Sequence, residues 1–239
     1  MPICVICERQ VERFLPHPNI APASPFITLI DGVGSDIEHY LCPSCSCNDR
    51  DRHLWLYMSK TGLLNHITHG SILHIAPEAA IEARLTAIPT TQYICGDLFP
   101  KLPRHLRIDC EALPFPDNVF DLVISNHVLE HVANPEKALA EFFRTIKPNG
   151  YLIAQTPYVP SLKRTFELDE PMTPERAEFF YGQTDHVRLF GRDIIDYFRD
   201  AGFAGELFPH EKVLPDIAPL EYGCNGREPF FLFTKLPNE

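Results

Sequence analysis

No stretch of this 239-residue chain approaches the roughly 20 consecutive apolar residues that a membrane helix needs. The N-terminus, Met-Pro-Ile-Cys-Val-Ile-Cys-Glu-Arg, carries no basic segment ahead of an apolar core. No secretory signal is read there, and the expectation is a cytoplasmic protein with no membrane partner. Positive charge is short as well: 21 Lys and Arg stand against 32 Asp and Glu, a net charge of −11. Broad binding to a phosphate backbone uses clustered Lys and Arg, so this balance argues against a nucleic-acid partner. It leaves room for a local basic groove.

With no secretory signal, the eight cysteines do not read as a disulfide frame. Four of them fall as Cys4-x2-Cys7 and Cys42-x2-Cys45, two knuckles that each supply a pair of thiolates from one tight turn. That pattern reads as a tetrahedral Zn²⁺ site. Four thiolates close the coordination shell, so the metal would be structural, replacing a hydrophobic core too small to hold itself together. Contact with a partner or substrate is the alternative. Cys47, Cys95, Cys110 and Cys224 are scattered and read as packing residues, with Cys47 near enough to Cys45 to stand in as a ligand. A zinc-ribbon-like domain is expected over residues 1–53, with a strand at Phe26–Ile30. Asn48 or Asp49 caps a helix carrying Leu54, Trp55, Tyr57 and Met58. Arg50, Arg52 and His53 on its first turn oppose the helix dipole and call for partners, as in a hinge to the main domain.

Residues 54–239 form that main domain. Leu106–Asp109 is a short strand ending in a carboxylate. Leu113-Pro114-Phe115-Pro116-Asp117-Asn118 is a turn whose prolines fix φ. Phe120–Ser125 is a nearly unbroken apolar run, as expected of a central parallel strand covered on both faces. Strands are also expected at Ser71–Ala76, Thr91–Leu98, Tyr151–Gln155, Phe203–Phe208 and Pro229–Lys235. Helices are expected over Ala79–Ile88, from Asn134 to the Pro148-Asn149-Gly150 stop, and over 191–201. Residues 156–190 are long and poorly periodic, the mark of a lid or substrate wall.

Asp109, Leu113, Pro114, Phe115, Asp117, Phe120, Asp121 and Val123 together give D-x3-L-P-F-x-D-x2-F-D-x-V. This segment resembles the class I S-adenosylmethionine-dependent methyltransferases. The resemblance implies an α/β fold: a Rossmann-like, mostly parallel sheet with an antiparallel last strand, beside the small N-terminal zinc ribbon. It implies S-adenosyl-L-methionine as cofactor. Asp97 would take the ribose hydroxyls with Leu98 beside it, the geometry known from dinucleotide folds. Asp109 would take the adenine amino group, with Cys110 and Glu111 completing that pocket. The methionine portion would lie against His74, Ala76 and Glu78, with Asn126 and His127 at the tip of the next strand. The first loop departs from the family. Where an acidic-x-Gly-x-Gly turn is usual, this chain has His74-Ile75-Ala76-Pro77-Glu78, without glycine and with a proline that cannot donate an N–H. A similar H-x-A-P-E loop beside a cysteine-knuckle domain occurs in methyltransferases often encoded among sugar or polysaccharide genes.

Methyl transfer from a sulfonium requires alignment and exclusion of water. A hydroxyl or amine acceptor also benefits from a base. His127 is one candidate. His186, its ring oriented by Asp185, is the other. His131 reads as a packed histidine. A second metal on His127, His131 and Glu130 is conceivable, but no supporting pattern accompanies it. The expected acceptor is a small molecule or saccharide. An RNA methyltransferase docking substrate through the ribbon, and a non-catalytic adaptor with a decayed cofactor loop, are the competing readings.

Overall fold

The computed structural model describes residues 1–18, 24–170 and 172–237. Residues 19–23 of the expected N-terminal domain and residue 171 of the expected lid lie outside that description. The chain opens with a two-stranded antiparallel ribbon, β1 (Ile3–Cys4) and β2 (Arg9–Gln10). Next come α1 (Pro25–Ile30), α2 (Asp49–Lys60) and α3 (Leu63–His66). The main sheet then begins: β3 (Ser71–Ile75), α4 (Ala79–Thr86), β4 (Gln92–Asp97), β5 (Leu106–Arg107), β6 (Phe120–Ile124), α5 (Pro135–Thr145) and β7 (Ile146–Ile153). After the insertion, with α6 (Pro174–Tyr181), follow α7 (Ile194–Asp200), β8 (Ala204–Phe208), α8 (His210–Val213), α9 (Pro219–Tyr222) and β9 (Phe230–Thr234). Among the described residues no helix is long and apolar enough to cross a membrane.

Seven strands make one sheet in the order β5-β4-β3-β6-β7-β9-β8. The first five pair in parallel, and β9 pairs antiparallel with both β7 and β8. Alternation along each strand divides the interior into two layers. Ile72, Leu122, Ile124 and Phe230 face α2, α4 and the cysteine-rich N-terminus. Leu73, Ile75, Val123, Leu152 and Phe233 face α5 and α7. The strand order turns back between β3 and β6, because the chain moves outward through β4 and β5 before returning to β6 on the other side of β3. Such a switch point leaves a crevice beyond the carboxyl ends of the two strands.

Phe26–Ile30 is helical, not the expected strand. The Ser24 hydroxyl caps it by accepting from the Ile27 N–H at 3.1 Å, and Pro25 occupies the first turn. The helix leaves the cysteine region and packs on α6 of the insertion, where Phe26 and Ile27 join Val159, Ala177, Tyr181 and Leu189. The helix expected to run to the Pro148-Asn149-Gly150 stop ends at Thr145, and β7 begins at once. Lys147 to Gly150 form an irregular excursion, since the register with β6 jumps from Ile146 to Tyr151. α2 crosses the boundary expected between residues 53 and 54.

A capping box sets the start of α2: the Asn48 side chain accepts from Asp51 N–H, and Asp51 accepts from Asn48 N–H. Arg52 is fully buried. Its guanidinium donates to the carbonyls of Cys47, His39, Tyr40, Tyr222 and Gly223, at 2.6 to 3.1 Å. It thereby binds the cysteine region, α2 and the chain after α9 into one body. Phe14 stacks under it at 4.0 Å. Asp49 is buried beside it. One oxygen accepts from Asp36 N–H at 2.5 Å and the other has no partner. Burial, aided by the charge of Glu228, pushes this carboxyl up to about 7. A raised carboxyl binds its proton in the folded state while the unfolded chain, near 3.9, has lost it. Stability from this group therefore falls as pH rises from about 4 and is lowest above about 7. Asp49→Asn should leave the melting temperature nearly unchanged at about pH 4 and raise it by several degrees at about pH 8, checked by calorimetry at both values.

Candidate functional site

A cavity of about 600 Å³ opens beyond the carboxyl ends of β3 to β6. Ile75 and Ala76 come from the tip of β3, Asp97, Leu98 and Phe99 from β4, and Ile108 to Glu111 from β5. His127, Val128 and His131 to Ala133 follow β6, and Asp185 reaches in from the insertion. Asp97 and Asp109 thus face one space from neighbouring strands. Each carboxylate is fixed through Oδ1 by a main-chain N–H two residues on: Phe99 for Asp97 at 2.7 Å, Glu111 for Asp109 at 2.9 Å. The Glu111 carboxylate accepts from Asn134 N–H at 3.0 Å and ties this wall to the cap of α5. Burial pushes the Cys110 thiol up to about 12, so it is a neutral wall residue.

Two non-glycine residues of the cavity hold left-handed backbone, Ala76 (φ 48°) and His127 (φ 52°). Both conformations are costly for residues with a Cβ and persist only where surroundings impose them. Ala76 N–H is fixed on the Gly96 carbonyl at 2.7 Å, and His127 N–H on that of Gln155 at 2.7 Å.

Three of the expected cofactor contacts are not among the cavity-lining residues. His74 follows Ile72 on the opposite face of β3 and is fully buried. Its Nδ1 meets the Tyr93 hydroxyl at 2.9 Å, and its Nε2 meets Glu78 at 2.8 Å. The other Glu78 oxygen accepts from Asn126 Nδ2 at 3.2 Å. Burial opposes ionisation of Glu78, but the His74 contact outweighs it and holds the carboxyl below its usual value. His74, Glu78 and Asn126 therefore bracket the tips of β3 and β6 to α4 from behind. Asp121 of the central motif is also remote, accepting from Ser71 N–H and Lys147 Nζ at 2.7 Å each.

His186 is buried and lies outside the lining, its Nδ1 on the Tyr181 carbonyl at 3.0 Å. Asp185 does not orient it. The Asp185 carboxylate is exposed and stands 3.4 Å from His131, which lines the cavity. His127 sits between two buried carboxylates. Its Nδ1 is 3.5 Å from Glu130 and its Nε2 is 3.8 Å from Glu228. Burial would raise the Glu130 carboxyl, but the His127 contact and the charges of His127 and His186 hold it at about 2. Glu228, just ahead of β9, had no signal in its local sequence; only folding brings it to His127 and to His53, 3.6 Å away. Leu98 and Phe99, exposed apolar residues directly after a strand, were the readable sign of a cavity rim.

Arg188 holds the far wall. Its buried guanidinium donates to the carbonyls of Leu129 (3.0 Å), Val132 (2.6 Å) and Ala133 (3.3 Å), and it pairs with Glu167 at 2.7 Å. In the N-terminal region, Cys4 and Cys45 Sγ lie 3.7 Å apart and Cys7 and Cys42 3.9 Å apart, and all four thiols lie within 4.8 Å of one another. Zinc–sulfur bonds of about 2.3 Å in a tetrahedron place sulfurs about 3.8 Å apart, so the set fits that ion. Cys47 stands 3.4 Å from Cys4, against the cluster.

Sheet order and switch-point cavity define an α/β protein of the Rossmann-like class. Residues 71–154 match the family model described as a methyltransferase domain. Curated relatives match in part. A ubiquinone/menaquinone biosynthesis C-methyltransferase UbiE of Pasteurella multocida is 47% identical over 49 residues, 20% of this chain and 18% of that protein. Its counterpart from Francisella tularensis subsp. novicida is 36% identical over 66 residues, 26% of each. The matched segment is thus about a quarter or less of the length of these relatives. Among solved structures, the (4+2)-cyclase SpnF aligns over 94% of this chain and all of that one, with a TM-score of 0.55 and 14% identity. That likeness is one of fold.

Arg188→Met should free three carbonyls and loosen the wall. Amide exchange over residues 128–134 and 186–189 is expected to speed at least tenfold, while exchange in β3 and β6 stays near wild type.

Proposed function

We propose that the chain is an S-adenosylmethionine-dependent methyltransferase acting on a small-molecule or saccharide-type acceptor. The observation that carries this is the pair Asp97 and Asp109, on neighbouring parallel strands and lining one cavity. In this reading Asp97 takes the ribose hydroxyls, with Leu98 beside it, and Asp109, Cys110 and Glu111 border the adenine. Ala76 lies against the methionine portion. Its left-handed backbone and small side chain support close approach at a place where the sequence has no glycine. When bound, the cofactor supplies an activated methyl group. The residues of this chain align the acceptor, exclude water and receive its proton. His127 is the proposed base, lining the cavity with one ring nitrogen toward each of two buried carboxylates. Net charge of −11 favours a small acceptor over RNA. A structural Zn²⁺ on Cys4, Cys7, Cys42 and Cys45 completes the reading.

Asp97→Ala removes only one local hydrogen bond, to Phe99 N–H. It should therefore weaken S-adenosylmethionine binding at least a hundredfold by calorimetry, with the melting temperature within a few degrees of wild type. Unchanged affinity would remove Asp97 from the site. Cys42→Ser should diminish the thiolate-to-metal charge-transfer band expected when Co²⁺ replaces zinc, because three of the four thiolates remain. It should also lower the melting temperature in one transition for the whole chain, because Cys4, Cys42 and Phe14 share a core with Leu54, Ile72 and Phe230. A separate early transition would show an independent N-terminal unit.

A further inference from the structure

Behind the His131 wall of the cavity lies one of the two buried carboxylates that flank His127. Glu130 is 1% exposed. Its Oε2 accepts from the Thr156 hydroxyl at 2.8 Å, while its Oε1 has no hydrogen-bond partner. Oε1 is nevertheless surrounded by imidazole. His186 Nε2 stands 3.9 Å away and His127 Nδ1 3.5 Å away, both too far for a hydrogen bond. One ligand atom each from Glu130, His131 and His186 lie within 4.8 Å of one another. An orphaned, fully buried carboxylate oxygen is costly unless something positive meets it.

The hydrogen bonds on the far sides of the two rings say what that is. His186 Nδ1 lies 3.0 Å from the Tyr181 carbonyl, and His131 Nδ1 lies 3.1 Å from the Asp185 carbonyl. A carbonyl only accepts, so in each ring Nδ1 carries the hydrogen. In the neutral ring the lone pair is then on Nε2. With the ring neutral, as its burial favours, His186 has an Nε2 without a hydrogen 3.9 Å from an unsatisfied carboxylate oxygen, two acceptors that a shared cation would reconcile. A histidine whose Nδ1–H is held by a main-chain carbonyl is the usual state of a metal-ligating imidazole, with tautomer and ring orientation fixed from outside. Donor atoms about 2.0–2.2 Å from a divalent ion stand about 3 to 4 Å from each other, a range that includes the 3.9 Å between His186 Nε2 and Glu130 Oε1.

We propose that Glu130, His131 and His186 bind a divalent first-row transition ion, at a site separate from the four cysteines. Two imidazoles and one carboxylate are the donor set that leaves coordination positions open, in contrast to four thiolates. His131 and Asp185 line the cavity, so those open positions adjoin it and can take an oxygen donor, such as a hydroxyl or carboxylate of a bound molecule. Asp185 and His127 flank the ion site as second contacts to His131 and Glu130. The proposal stands whether or not the cavity binds S-adenosylmethionine.

The test is a Co²⁺ titration of the full chain with its cysteine site already filled with zinc, followed by visible absorption and by metal analysis after gel filtration. Wild type should take up a further equivalent whose ligand-field bands lack thiolate charge transfer. His131→Ala, at an exposed position, and Glu130→Gln should each weaken that equivalent at least tenfold, with circular dichroism unchanged for His131→Ala. Cys42→Ser should leave it in place. A wild-type chain that binds no further equivalent overturns the proposal, and so does an equivalent undiminished in both site variants.

Discussion

The turn-back of strand order between β3 and β6 is the constraint on which the rest of the site depends. Two central strands lie side by side while their following connections leave in opposite directions, so no backbone covers the space beyond their carboxyl ends. The strand tips on one side of that space carry Asp97 and Asp109, each with its carboxylate pinned by the next turn's N–H. The tip on the other side carries His127, in a strained backbone held by Gln155. Gly96 lets Ile108 pack directly on β4, since a Cβ there would collide with the Ile108 side chain, and this sets the spacing of the two carboxylate-bearing tips. Rigidity at these tips is what a positioning site needs.

The cysteine-rich N-terminus is tied to that site through several buried contacts. Arg52 joins it to α2 and to the segment after α9. From α2, His53 reaches Glu228, which faces His127 in turn. α1 supports α6, and Asn225 donates to the Gly34 carbonyl at 2.5 Å. The insertion is likewise anchored near its end: Arg188 clamps residues 129–133, and Val187 N–H bonds the Glu130 carbonyl at 3.0 Å. Cysteine cluster, insertion and cavity wall are therefore mechanically continuous. A change at one should be felt at the others through packing.

Much of this was legible in the residues. Apolar runs with turn punctuation gave the parallel strands, because strands covered on both faces leave a strong local signal. CxxC spacing gave the cysteine cluster, because a tight turn brings its two thiols together without help from the fold. Asp97 and Asp109 were readable because strand ends can be located locally. What failed to show depended on parity or distance. His74 seemed to point at the cavity, yet a strand alternates its side chains and His74 shares the face of Ile72. Phe26–Ile30 looked like a strand by composition, but Ser24 and Pro25 ahead of it set a helix start. Asp185 precedes His186 in sequence, yet backbone direction turns its carboxylate to His131. Glu228 and Arg188 act over separations of about 60 to 100 residues, which no local pattern reports.

A crystal structure of the chain grown with S-adenosylhomocysteine tests the central claim most directly. The account predicts a nucleoside in the β3–β6 crevice, its ribose hydroxyls on the Asp97 carboxylate and its adenine beside Asp109. A nucleoside seated elsewhere, or side chains closing the space between those two carboxylates, would contradict it.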